Sequence, residues 1–157
     1  FGPNPFWWHL VNLTLHFLNT FLVYTLTVKI TKNKTIGYIS SFLYATASLH
    51  FISLFWLAET NLLLGALFLF LGLNLYLSRR LVLSLLIFIL GLFVHEIVIV
   101  FPALSLLFRR PPKIYFILVT AIAVAYVSFR LFILPVPATG TYTPQFNLNT
   151  SARSFVW

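Results

Sequence analysis

Long apolar runs broken only at short polar steps dominate this chain, and its charges are sorted among those steps. Its two acids, Glu59 and Glu96, stand at breaks of their own, while eight of the ten Lys and Arg residues stand at others. A helical apolar run of about 20 residues matches the hydrocarbon core of a bilayer. With 61% hydrophobic and 8% charged residues and a mean hydropathy of +0.99, the composition is far from that of a water-soluble domain. The pattern predicts an all-α, polytopic integral membrane helix bundle of about six membrane helices, some of them short.

Helices are expected near residues 6–30, 36–49, 61–78, 81–94, 97–108 and 114–134, followed by an outer loop over 135–154, all within a single transmembrane domain spanning 1–157. The run 35–78 contains no Lys or Arg and is too long for one span, so a break is expected between Ser48 and Asn61, where Phe55-Trp56 provide interfacial anchors. Residues 81–108 are expected to form two short helices broken at His95-Glu96. A glutamate at mid-membrane in a single helix costs about 2.5 to 3.5 kcal/mol, and Pro102 weakens any helix through Val98.

The sequence contains no Met and opens on Phe1-Gly2-Pro3-Asn4-Pro5, so it reads as a fragment lacking its N-terminal part. No secretory leader is apparent, because Phe6-Trp7-Trp8 leads straight into a long helix. The absence of Cys excludes disulfides and Cys-ligated metals. The +8 net charge flanks apolar segments instead of forming a basic face, which speaks against nucleic acid as a partner. With the break at His95-Glu96, Lys29, Lys32, Lys34, Arg79, Arg80, Arg109, Arg110 and Lys113 share one side. The positive-inside rule makes that side cytoplasmic. A single helix over 81–108 would reduce the bias to five against five.

The polar residues of the first helix are ordered. His9, Asn12, His16 and Asn19 recur at steps of three, four and three, which places them on one face that must meet other helices or a wet cavity. His16 is most simply an interhelical hydrogen bonder, and His9 and Asn12 lie nearer the surface. Glu59 and Asn61 fall at the second break. Glu96, between two strongly apolar stretches, must be paired, neutralised or facing a cavity. Arg130 either snorkels to the outer surface or binds a phosphate through its guanidinium fork. No metal site is expected: His9 and His16 are seven apart, and His95-Glu96 lacks the second His of H-E-x-x-H because position 99 is Ile. The glycosylation sequons at Asn12, Asn33 and Asn149 carry little weight, since the first falls inside a helix and the second on the cytoplasmic side.

The run Pro5-Phe6-Trp7-Trp8-His9-Leu10-Val11-Asn12-Leu13-Thr14-Leu15-His16-Phe17-Leu18-Asn19 resembles the P-x-x-y-H-l-x-N-l-x-l-H-x-x-N helix of polytopic GT-C glycosyltransferases. The likeness is greatest to the protein O-mannosyltransferase-like branch that includes tetratricopeptide-linked transmembrane mannosyltransferases. His50 through Trp56-Leu57-Ala58 is similar to that branch's H-x-x-x-x-x-W-I-A loop. Val94-His95-Glu96 through Pro102 is similar to its S-K-E-x-x-x-x-x-P segment, and Phe129-Arg130 resembles the Arg that ends a following helix. Here His95 replaces the Lys of the K-E pair, and Glu59-Thr60-Asn61 stands where the branch often has Arg and Asp.

The resemblance implies a GT-C-like fold and transfer of a mannose-like sugar from a polyprenyl- or dolichyl-phosphate carrier to a protein or glycan acceptor on the extracytoplasmic face. That face belongs to the plasma membrane in a bacterium and the endoplasmic reticulum in a eukaryote. It also implies a general base upstream of Phe1, so no catalytic acid is assigned within the sequence. His95, Arg130 and His50 are expected to contact the donor phosphate, with Glu96 orienting His95 or Arg130. The partners expected are membrane lipid, the lipid-linked donor and the acceptor, and the need for a divalent metal stays open. Two competing classes are a transporter or channel with a His16, His95 and Glu96 path and a non-catalytic membrane scaffold.

Overall fold

The computed structural model describes residues 5–48, 59–108 and 110–132. Among these residues the regular elements are all helical and no strand occurs. In chain order they are α1 (Pro5–Thr31), α2 (Lys34–Thr46), α3 (Thr60–Leu77), α4 (Leu81–Val94), a 3-10 turn (Glu96–Val100), α5 (Phe101–Phe108) and α6 (Lys113–Phe132). The chain forms two compact units, Phe1–Ala123 and Val124–Trp157. Three helices, α1, α3 and α6, are long and apolar enough to cross a membrane. The expected loop carrying His50 and the outer loop 135–154 lie outside the described residues.

Local chemistry sets the helix ends. Pro5 opens α1, where a missing N–H is no loss. Asn33 starts α2 by accepting from the Thr35 and Ile36 amides at 2.8 and 3.3 Å, the usual N-cap device. At the end of α3, the Arg79 amide donates to the Tyr76 carbonyl and the Arg80 amide to that of Leu75, both at 3.0 Å. This paired closure is the Schellman motif, whose pivot favours glycine. Here Arg79 occupies the pivot, at φ 64°.

α3 occupies the centre of the first unit. α1 packs on one of its faces, and α4, the 3-10 turn and α5 pack on another. α1 and α3 run in the same direction, since Asn12 meets Thr60 near one end and Lys29 meets Ser78 near the other. α2 doubles back along α1, pairing Tyr38 with Tyr24 and Tyr44 with His16. α4 runs antiparallel to α3 and approaches closely at its glycine. A Cβ on Gly91 would sit 2.9 Å from Phe68 Cβ and 3.0 Å from Val98 Cγ1.

The expected helix over 97–108 differs from what forms. Residues 96–100 are a 3-10 turn, and α-helix begins only at Phe101. Pro102 explains this, because it has no N–H for the Val98 carbonyl four residues back. The Phe101 amide takes that carbonyl instead, in the tighter 3-10 pattern. The expected helix 36–49 also ends sooner, at Thr46, with Ala47 extended beyond it.

α5 then returns along α3. Phe101 packs against Gly72, Tyr76 and Phe88, and Tyr115 of α6 stacks on Tyr76 at 5.6 Å. Ser84 ties three elements together: its hydroxyl donates to the Gly72 carbonyl at 2.8 Å and accepts from Tyr115 Oη at 2.9 Å. The residues 81–108 therefore form a hairpin that starts and finishes at the Arg79-Arg80 end of α3. Lys29, Lys32, Lys34, Arg79, Arg80, Arg110 and Lys113 gather around that same end of the unit.

Two outcomes follow for stability, read as thermal loss of the helical circular dichroism signal in detergent. Gly91→Val should destabilise by about 1–3 kcal/mol, since the added atoms overpack α3 against α4. Arg79→Gly should stabilise by about 0.5–1 kcal/mol by relieving the left-handed pivot.

Candidate functional site

The polar residues of α1 turn inward, because an unpaired amide facing hydrocarbon is costly and neighbouring helices offer partners. Asn12 and Asn19 are fully buried and His16 nearly so. Thr60 Oγ1 donates to Asn12 Oδ1 at 2.8 Å. Asn19 Nδ2 donates to the Leu63 carbonyl at 2.9 Å, while its Oδ1 has no hydrogen-bond partner among the described residues. His16 Nε2 lies 3.2 Å from the Ala45 carbonyl, an atom that only accepts, so the proton sits on Nε2. The ring stacks on Tyr44.

His95 reaches the same part of α3 from another side. It ends α4 and starts the 3-10 turn, its Nδ1 accepting from the Ile97 amide at 3.1 Å. The side chain thus does the work usually given to Ser, Thr or Asp at a cap. With Nδ1 accepting, Nε2 carries the ring proton and presents a donor. Gly65 makes room for this arrangement, since a Cβ there would lie 2.6 Å from His95 Cβ.

The first turns of α3, Thr60 to Gly65, are therefore met by Asn12 and Asn19 of α1 and by His95. Glu96 is exposed in the first turn of the 3-10 segment, where negative charge suits the helix dipole. Glu59 is half-buried at the N-cap of α3, without a side-chain capping bond, and Asn61 is exposed. His9 is half-buried on α1. Arg130 belongs to the second unit, where it is exposed and donates to Tyr126 Oη at 3.4 Å. His50 lies outside the described residues. Among the described residues, no group of three or more His, Asp or Glu comes together as a metal site would require.

No family model, curated protein or solved structure matches this chain.

A second polar cluster lies near the other end of the α1 and α3 seam, and residue-by-residue reading did not single it out. Asn74, nearly buried, donates to the Leu22 and Phe70 carbonyls at 3.0 Å and accepts from Thr25 Oγ1 at 3.0 Å. Lys29 Nζ donates to the Asn74 carbonyl at 3.0 Å and to Ser78 Oγ at 2.8 Å. The available signal was a matching pair of i, i+4 steps: Thr25 and Lys29 on α1, Asn74 on α3 and Ser78 at its C-cap. Asn74→Leu should cost about 1–2 kcal/mol in detergent unfolding, because it removes the two side-chain bonds from Asn74 to α1 and leaves only the one that Lys29 makes to its backbone carbonyl.

Proposed function

We propose that the chain is the membrane-embedded part of a GT-C-like glycosyltransferase, with its basic end cytoplasmic and the Asn12, Asn19 and His95 end extracytoplasmic. Its substrate is a sugar on a polyprenyl- or dolichyl-phosphate carrier. The observation that carries this reading is the convergence of the α1 polar face and His95 on the first turns of α3, at the end away from the cations. The order of the three motifs along the chain supports it. Membrane residence is supported by the surface as well: Phe42, Val82, Phe93, Leu107 and Ile114 are 67% to 82% exposed, far more apolar display than water tolerates.

In the proposed transfer an acceptor hydroxyl attacks the anomeric carbon. The bond from that carbon to the phosphate oxygen breaks, and the electron pair leaves with the lipid phosphate. The hydroxyl proton passes to a general base not assigned to any residue of this chain. A preorganised donor aimed at the departing oxygen lowers the barrier most where water is scarce. His95 Nε2–H serves that role in this reading, with Glu96 an orienting carboxylate and His50 a further candidate. A mannose-like sugar and a protein or glycan acceptor complete the proposal.

His95 also caps the 3-10 turn, so the test must separate the two roles. His95→Asn keeps an acceptor for the Ile97 amide and removes Nε2–H. The protein is purified from its native membranes, reconstituted into proteoliposomes and given a radiolabelled polyprenyl-phosphate sugar. His95→Asn should lower transfer about tenfold or more while leaving the thermal unfolding midpoint in place. Unchanged transfer removes His95 from the site. Ion or proton flux without sugar transfer in the same vesicles replaces the whole reading with that of a transporter.

A further inference from the structure

The basic end has its own geometry, unconnected with sugar transfer. Between α1 and α3 lies a groove of about 460 Å³ whose lining includes Phe21, Leu22, Lys29, Leu71, Leu75 and Arg80. Its composition is divided: the Phe21, Leu22, Leu71 and Leu75 side chains are apolar, while Lys29, Arg80, Ser78 and Thr25 supply cations and hydroxyls. Two of the three Lys29 ammonium protons are committed to the Asn74 carbonyl and Ser78 Oγ. The third is left for a ligand.

Among the described residues, no carboxylate lies near these cations. Glu59 and Glu96 are the chain's only acids. Glu59 caps the opposite end of α3, about 27 Å away at 1.5 Å per residue. Glu96 adjoins His95, which packs on Gly65, about 20 Å along the helix from Ser78 by the same measure. The end instead accumulates charge of one sign, with Lys32 and Arg79 even occupying left-handed backbone positions at φ 58° and 64°. A counter-charge must come from outside the chain.

We infer that this groove binds the phosphate of an anionic phospholipid, with Lys29 and Arg80 on the phosphodiester and the lipid chain along Phe21, Leu22, Leu71 and Leu75. The shared chemistry is that of a phosphate, but the apolar floor selects a ligand that carries a hydrocarbon tail. Basic pockets between membrane helices favour anionic head groups on general electrostatic grounds, and the Arg80 fork suits two phosphate oxygens at once. The inference needs the membrane residence proposed above and is independent of glycosyl transfer.

The test is titration of the purified protein in neutral detergent with phosphatidylglycerol, with phosphatidylcholine and with inorganic phosphate, read by native mass spectrometry of bound lipid. One saturable phosphatidylglycerol site is expected, preferred over phosphatidylcholine and not displaced by millimolar phosphate. Arg80→Gln and Lys29→Gln should each weaken it about fivefold, whereas Lys113→Gln, outside the groove, should not. Because Lys29 also ties α1 to α3, Leu71→Trp provides a second variant that keeps both cations and fills the apolar floor; it too should weaken lipid binding. Equal retention of phosphatidylcholine, or an equal loss with Lys113→Gln, overturns the groove in favour of diffuse charge. Displacement by inorganic phosphate overturns the lipid in favour of a small soluble anion. These outcomes do not depend on any transfer activity.

Discussion

The α1 and α3 seam is held by amides, and the rest of the first unit is arranged around it. Between apolar helices surrounded by an apolar medium, burial of hydrocarbon supplies little net attraction, because the alternative contact is equally greasy. Directional bonds and close packing must then decide which helix touches which. Asn12, Asn19 and Asn74, spread along the seam, each form a bond that crosses it. Thr25 and Lys29 add further bonds toward the end. This spacing fixes both the parallel direction and the axial register of the two helices, since a slip of one turn would break every crossing bond. On the other side of α3, small residues do the equivalent work: Gly65 of α3 admits His95 and Gly91 of α4 admits Phe68 to distances that a Cβ would not permit, and Gly72 leaves room for Phe101.

Two kinds of chemistry separate along this seam. At one end neutral polar groups crowd the first turns of α3. At the other, cations collect without a single acid to balance them. Lys29 reconciles these needs locally, satisfying carbonyl and hydroxyl oxygens at the C-terminal end of α3, where the helix dipole favours positive charge. Arg80 stands beside it and lines the same groove.

Much of the helical character was legible in the sequence, because periodic polar residues in an apolar helix have few places to go. The step pattern of His9, Asn12, His16 and Asn19 identified a face, and Asn12, His16 and Asn19 are buried on it. The polar pair His95-Glu96 between apolar runs is likewise a local signal, and the backbone does leave α-helix there. What was not legible depended on partners distant in sequence. Asn74 and Ser78 are one helical turn apart, as are Thr25 and Lys29, but nothing local says that the two pairs, some fifty positions apart, meet. The 3-10 form of Glu96–Val100 was partly readable from Pro102, but the His95 cap that starts it required the turn to exist first. Gly65 looked like any glycine in a helix until His95 was placed against it. Arg130 and His95 were joined by resemblance and by the side to which the charge bias assigned both. The described structure places them in separate units.

The hairpin formed by α4, the 3-10 turn and α5 leaves and rejoins α3 at one end. It therefore lengthens the chain without altering its parity: α6 departs from the end where α3 stopped. Residues 81–108 are thus a there-and-back excursion whose inner side chains, Phe88, Val98 and Phe101, are fully buried. An even number of legs brings His95 to one end of the first unit while both feet of the excursion stay at the other.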